Sequence, residues 1–206
     1  DCVPVQLHVN DADAERRAFL EANLEAADLS AEVSTSPADQ LLARAYLGGH
    51  FFDLIDVDAF GAPGALLQPV LQVLRFGGIL LLASTDGRSP TGHDRRAAIR
   101  NLGSAARVHP ASWEIALRQQ LGLLARQAWL LGRGIQPLLS FSEGRTFRLA
   151  VRFHRQLQPL EEQCLGLVAR CECCGAQDFQ PLLKLRGWPP CYCPEGDGRW
   201  SVSGPL

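Results

Sequence analysis

Apolar and polar positions alternate along this chain in two rhythms. Residues 4–9, PVQLHV, form a short apolar, β-branched run ending in Asn10-Asp11, and apolar positions then recur at helical spacing from Asp13 to Ala27. This is the pattern of strand, turn and helix. A weaker strand at 31–34 precedes a helical stretch near 38–47, and the apolar run FFDLIDVD at 51–58 is long enough for a strand buried on both faces. Gly61, Pro63 and Gly64 break that run before a helix over 65–75, and Gly77-Gly78 opens into the strand ILLLAS at 79–84. Strands that alternate with helices predict a parallel sheet.

Residues 85–111 are polar and rich in Gly, Ser, Arg and Pro, which predicts a long loop, either disordered or functional. A helix at 112–132 leads into IQPLLSF at 135–141 and FRLAVRF at 147–153, joined by the turn-like SEGR of 142–145. These two predict an antiparallel hairpin. The fold class is therefore α/β, a doubly wound Rossmann-like sheet that is mainly parallel and ends in an antiparallel hairpin. After residue 155 the periodicity fades into a Cys-rich tail, which divides the chain into an expected Rossmann-like domain at 1–155 and a small Cys-rich region at 156–206.

Composition narrows the class. A chain of 206 residues can bury one ordinary domain and carry a smaller piece. No apolar run approaches the roughly 20 residues that span a bilayer, so no membrane partner is expected. The formal net charge of -2 excludes a protein coated in positive charge for nucleic acid, so any RNA contact must be local. The chain opens on Asp1 and contains no methionine, the expectation for a fragment, and DCVPVQLHVND lacks the features of a signal peptide. Cytoplasm is the expected compartment, and no feature calls for an obligate protein partner.

Several residues carry candidate chemistry. Asp11 ends a strand where carboxylates of doubly wound sheets bond ribose hydroxyls, but Asp at that place also caps helices, and position does not separate the two. In DLIDVDAFGAP, residues 53–63, Asp56 and Asp58 alternate with apolar residues at a strand end, followed by Phe60 and Gly61. Acids in such a strand need a reason. An exocyclic purine amine is a poor nucleophile that must be oriented and must lose a proton as it is alkylated. Asp58 is placed to accept its N–H, Phe60 to stack on the base and Gly61 to admit close backbone approach.

Cys171-x2-Cys174 and Cys191-x-Cys193 are two close pairs separated by sixteen residues. That suits a four-cysteine zinc site, structural because four thiolates leave no open position; buried free thiols are the alternative. The five histidines form no recognisable metal or catalytic set, and no Gly-x-Ser-x-Gly elbow is present. Hydrolase chemistry drops out. Arg88, Arg95, Arg96, Arg100 and Arg107 lie within twenty residues that hold one acid, Asp94, a local candidate for phosphate contact or simply a solvated loop.

The alternation of elements closing on a hairpin is the layout of the class I methyltransferase sheet, and the motifs sharpen it. IDVDAFGAP resembles the IDLDPFGSP motif of the tRNA (guanine-26-N2)-dimethyltransferase family. HVNDAD, GGILLLASTD, WEIALR, IQPLLSFSEGRTFRLAVR and the final VSGPL resemble further segments of that family in the same order, from residue 4 to residue 206. The resemblance implies transfer of methyl groups from S-adenosylmethionine to guanine N2 in tRNA. It implies Asp11 on the cofactor ribose, Pro37 and Ala38 against its adenine and Asp58 as the catalytic acid, while Asp56, on the same face of the strand one step deeper, is placed by position to serve structure or the cofactor side. Zn would be held by Cys171, Cys174, Cys191 and Cys193, and tRNA by Arg88, Arg95, Arg96 and Arg100.

The chain departs from the family pattern at four places. Pro37 stands where a cofactor-binding carboxylate is expected, with Asp39 as a substitute; Ala59 stands for proline, and Trp113 for histidine. The glycine-containing cofactor loop and the sheet's first strand would precede Asp1, so the expectation is an inactive fragment. Two further readings stand beside the enzyme: a non-catalytic RNA-binding protein with a degenerate methyltransferase fold, and an amino-methyltransferase acting on another nucleic acid.

Overall fold

The computed structural model describes residues 5–194 and 196–206. Two compact units divide at Phe51 and Phe52. Residue 4, part of the predicted strand at 4–9, lies outside the described residues. No helix among those described is long and apolar enough to cross a membrane.

The first unit is a βαβα segment. Strand β1 (Leu7–Asn10) pairs in parallel with β2 (Ala31–Ser34), with Val9 opposite Val33 and Asn10 opposite Ser34. A 3-10 turn at Ala14–Arg16 and helix α1 (Arg17–Ala26) connect them, and α2 (Ala38–Leu47) follows. The chain of apolar positions predicted between Asp13 and Ala27 is thus one helical passage with a tighter opening turn. Asp13 caps it by accepting the Glu15 N–H at 3.0 Å.

The second unit holds β3 (Phe52–Ala59), α3 (Gly64–Val73), β4 (Leu74–Ser84), α4 (Arg95–Leu102), α5 (Ser112–Trp129), β5 (Ile135–Glu143) and β6 (Thr146–Phe153). Its sheet has the order β3-β4-β6-β5. β3 and β4 are parallel, with Asp58 opposite Ala83, while β6 runs antiparallel to β4, with Arg148 opposite Ala83. This is the predicted arrangement of a parallel pair closed by a hairpin. One face is the core: Val57, Leu80, Leu82, Phe147, Leu149, Val151 and Phe153 are buried, as are Leu67, Val70 and Leu71 of α3 and Leu124 and Ala128 of α5.

Two expectations are corrected. β3 is not buried on both faces: Val57 is buried, whereas Leu54 is 54% exposed and Asp56 and Asp58 are exposed. β3 is the edge strand of its sheet, and alternation puts Leu54, Asp56 and Asp58 on the face opposite Val57. Residues 85–111 are not a plain loop either, because they contain α4. Asp94 caps α4 by accepting the Ala97 N–H at 2.9 Å, and Gly103 ends it with φ 58°. Ala97, Ala98 and Leu102 face the core while Arg95, Arg96 and Arg100 stay exposed, so a short amphipathic helix hides in a polar composition.

Arg133 ties the end of α3 to the rest. Its guanidinium donates to the carbonyls of Leu71, Leu74 and Arg75 and sits 5.6 Å from the Phe153 ring centroid. Beyond β6, short strands β7 (Gly166–Cys171), β8 (Gln177–Pro181) and β11 (Trp200–Ser203) form a sheet of order β11-β7-β8, and β9 (Cys191–Cys193) pairs with β10 (Gly196–Gly198). The last residues return to the α4–α5 connection, where Ala105 and Gly204 exchange N–H bonds of 2.7 and 2.8 Å.

Candidate functional site

Asp58 leaves the carboxyl end of β3, where open α/β sheets place their ligands. Asp56 stands on the same face one step back, opposite Leu81, while Asp58 shares its row with Ala83 and Arg148. Burial and the neighbouring Asp58 carboxylate raise Asp56 above the usual carboxylate range, with Arg148 pulling the other way. Among the described residues, Asp58 makes no hydrogen bond and no ion pair. Phe60 is 98% exposed, an aromatic ring with no protein packed on it.

The loop that carries Phe60 is held from behind. Gly61 adopts φ +77°, a conformation L side chains resist. Its N–H donates to Thr85 Oγ1 at 2.7 Å, and its carbonyl accepts from the Thr85 N–H and from Ser84 Oγ, both at 3.1 Å. The end of β4 thus fixes the turn after β3, and buried Pro63 leads into α3. Ser84 and Thr85 were not legible as the residues that hold this turn; the signal was their place at the end of the strongest strand. Asp86 follows. Burial raises it, but hydrogen bonds from Ser89, Asn101 and the Arg88 N–H outweigh that and hold it below the usual carboxylate range.

The first unit gathers its own predicted residues. Asn10, at the end of β1, accepts from Ser34 Oγ at 2.7 Å and from the Ser36 N–H at 3.2 Å, and donates to the Ser36 carbonyl at 2.9 Å. These bonds clamp the β1 end to the segment entering α2, bringing Asp11 into one neighbourhood with Pro37 and Ala38. Asp11 takes the Asp13 N–H on Oδ1 at 2.8 Å, and capping of the following turn falls to Asp13. Its Oδ2 has no hydrogen-bond partner among the described residues. Pro37 caps α2 without a side-chain acceptor, so the Ala38 and Asp39 N–H groups are left over at the helix start. Asn10, Ser34 and Ser36 were missed from sequence, since only the fold brings residues 24 to 26 positions apart together.

The four predicted cysteines converge. Their sulfurs lie within 4.8 Å of one another, with Cys171 to Cys193 at 3.3 Å and Cys174 to Cys191 and Cys193 to Cys191 at 3.5 Å. Sulfurs around one zinc stand about 3.8 Å apart at a Zn–S length of about 2.3 Å, so the donor set fits the metal. Gly175, with φ +76°, allows the turn after the first pair. Gly198 is required by space: a Cβ there would lie 2.4 Å from Cys171 Sγ and 2.6 Å from Cys193 Sγ. Cys173 is exposed and outside the group. The Cys174 N–H stabilises a Cys171 thiolate and pulls it to about 6, while sharing of protons with Cys171 pushes Cys193 up.

Arg88, Arg95, Arg96 and Arg100 are exposed, and none is in an ion pair among the described residues. Arg95 and Arg96 begin α4. Arg100 lines an open cavity of about 530 Å3 with Ala62, Gly64 and Arg126, which brings one predicted RNA contact to the loop after Phe60.

Residues 4–206 match the family model described as N2,N2-dimethylguanosine tRNA methyltransferase. Among curated relatives, the tRNA (guanine(26)-N(2))-dimethyltransferase of Pyrobaculum neutrophilum is 31% identical over 150 residues, 73% of this chain and 42% of that protein. The enzyme of the same description from Homo sapiens is 30% identical over 184 residues, 87% of this chain and 28% of its own length. The chain thus spans less than half the length of these relatives. Among solved structures, Trm1 from Pyrococcus horikoshii, in complex with S-adenosyl-L-methionine, superposes with a TM-score of 0.81 at 21% identity, covering 98% of this chain and 55% of that one. The fold is the α/β methyltransferase fold that the sequence pattern predicted.

Proposed function

This chain belongs to the N2,N2-dimethylguanosine tRNA methyltransferase family, and we propose that it serves the transfer of methyl groups from S-adenosylmethionine to the exocyclic N2 of a guanine in tRNA. The observation that carries the reading is the end of β3. Asp58 and Phe60 present an acceptor and an aromatic face that no group among the described residues uses, on a turn held by Gly61, Ser84 and Thr85.

Bound S-adenosylmethionine supplies an electrophilic methyl group. Asp58 accepts an N–H of the guanine amine, directs its lone pair and takes the proton that the amine loses as it is alkylated, the work of a positioned base. Phe60 stacks on the base, and the fixed Gly61 turn keeps the two side chains in register. Asp56, with its raised carboxyl, supports the cofactor side of the strand end. In the first unit, the free Oδ2 of Asp11 bonds a ribose hydroxyl. Adenine lies against Pro37 and Ala38, with the Asp39 carboxylate accepting from its amino group in place of the family's carboxylate and the leftover N–H groups at the helix start donating to ring nitrogens. Arg88, Arg95, Arg96 and Arg100 contact the RNA backbone, and zinc at the cysteine cluster holds the β9–β10 hairpin to β7.

The test is nucleoside analysis of tRNA incubated with the natural protein and labelled S-adenosylmethionine. Label in N2-methylguanosine or N2,N2-dimethylguanosine is the expected result. Tight tRNA binding with no methylated guanine would instead favour an RNA-binding protein on a degenerate methyltransferase fold.

A further inference from the structure

A polar cavity of about 150 Å3 lies where residues 107–109 meet β7 and β11, larger than the space one water needs. Its sheet side is built by cross-strand pairs. Arg170 stands opposite Ser201 and Val168 opposite Ser203, so all four share one face. Arg107, His109 and Glu172 complete the polar lining. The function proposed above uses none of these residues.

His109 shows what the cavity asks for. Its Nδ1 accepts the Ala111 N–H at 2.9 Å, which leaves the proton of a neutral ring on Nε2. That Nε2 is buried and has no hydrogen-bond partner among the described residues. Burial, with Arg170 nearby, holds the ring below the usual histidine value, so at neutral pH it is a donor without a charge of its own. A buried N–H left unpaired costs free energy until an acceptor fills the place. Arg107 and Arg170 are likewise in no ion pair among the described residues. Two guanidinium groups and one carboxylate leave the lining net positive, with hydroxyls from Ser201 and the buried Ser203 able to donate. A small, donor-rich, net positive cavity selects a compact anion with several acceptor oxygens, and guanidinium matches phosphate oxygens in pairs.

We propose that this cavity seats one phosphate of the RNA backbone, with Arg107, Arg170 and His109 Nε2 as donors. The proposal rests on the reading that tRNA is the substrate and adds a contact point at the junction of the cysteine-bearing sheet with the α4–α5 connection. Glu172 is the opposing group and limits how tightly the phosphate is held.

Two measurements on the natural protein test it. The affinity for tRNA is followed against salt for wild type, Arg107→Gln and Glu172→Gln; a lost phosphate contact lowers the slope of log K against log salt by about 0.7 to 0.9. Arg107→Gln should bind tRNA several-fold more weakly with a shallower slope, and Glu172→Gln should bind more tightly, a gain that misfolding does not produce. Inorganic phosphate, titrated into wild type, should move the 15N resonance of His109 Nε2. If wild type binds tRNA and both variants match it in affinity and slope, the proposal is wrong while the tRNA reading stands. Phosphate that moves His109 while Arg107→Gln leaves the slope unchanged also overturns it, since the cavity would then hold a free anion. Wild type that binds no tRNA overturns the tRNA reading and this proposal together.

Discussion

The cysteine cluster and the end of β3 present reactive side chains in opposite ways. At the cluster the four sulfurs face one another, and the absent side chain of Gly198 is what lets β10 close against them. Every donor has its partners inside the chain. At β3 the turn is fixed from behind by Thr85 and Ser84, yet among the described residues nothing pairs with Asp58, and Phe60 is 98% exposed. Closure is the mark of a structural metal site, where an open position would serve no purpose. An anchored but open arrangement is what the proposed substrate site needs, since there the partner arrives with the ligand.

The comparison breaks most visibly at the cluster. Zinc bound by four thiolates is worth about 10–16 kcal/mol of apparent binding free energy in small domains, more than strands of three to six residues gain by pairing. Cys171→Ser, or a strong chelator, should therefore remove one zinc per chain and open residues 166–203 to protease. Metal analysis with limited proteolysis reads both, and a protected, metal-free lobe would refute the structural role.

At the strand end the effects should fall on activity and leave the fold alone. Stacking of a base on an aromatic ring is worth about 1–3 kcal/mol, so Phe60→Ala should raise KM for tRNA by about tenfold, with an unchanged Tm because the ring is 98% exposed. A lower Tm would mean that Phe60 packs against something in the protein. Thr85→Val removes the hydroxyl that holds the Gly61 N–H. It should cost about 1 kcal/mol, roughly fivefold in kcat, with KM little changed. Equal loss in KM would make Thr85 a binding residue.

The smallest effect is a pH dependence at Asp86. Its carboxyl is held below the ordinary 3.8, so the stability it contributes is present above that value and is lost as the pH falls through the lower folded value. Asp86→Asn should be less stable than wild type at neutral pH, with the gap closing below about pH 3.8 in acid unfolding curves. A gap that stays constant into acid would assign the role to shape and not to charge.

How much of this was legible in the sequence follows from what each element depends on. β2 and α2 lie where their own periodicity puts them, and β3, β4 and the hairpin pair as predicted, because apolar runs bounded by turn residues mark extended segments even where, as in β5, the strand stays exposed. The turn at Gly61 and the convergence of the cysteine pairs were readable because each is set by a few closely spaced residues. α4 was not, since its cap, its Arg face and its Gly stop read as loop composition when taken singly. The open face of β3 was hidden because an edge strand and a central strand can share one apolar run. The Asn10 clamp and the His109 cavity join residues far apart in sequence, and β7 to β11 are too short for any period to show.

The central claim is that Asp58 takes the proton load of methyl transfer at the end of β3. The direct measurement is single-turnover methylation of tRNA by Asp58→Ala in the natural protein, with S-adenosylmethionine and tRNA binding measured alongside. Loss of a positioned base costs about 10²–10⁴-fold in rate, so methyl transfer should fall by that much while both ligands bind as before. Methylation at a near wild-type rate by Asp58→Ala would contradict the account and move the catalytic acceptor to another residue.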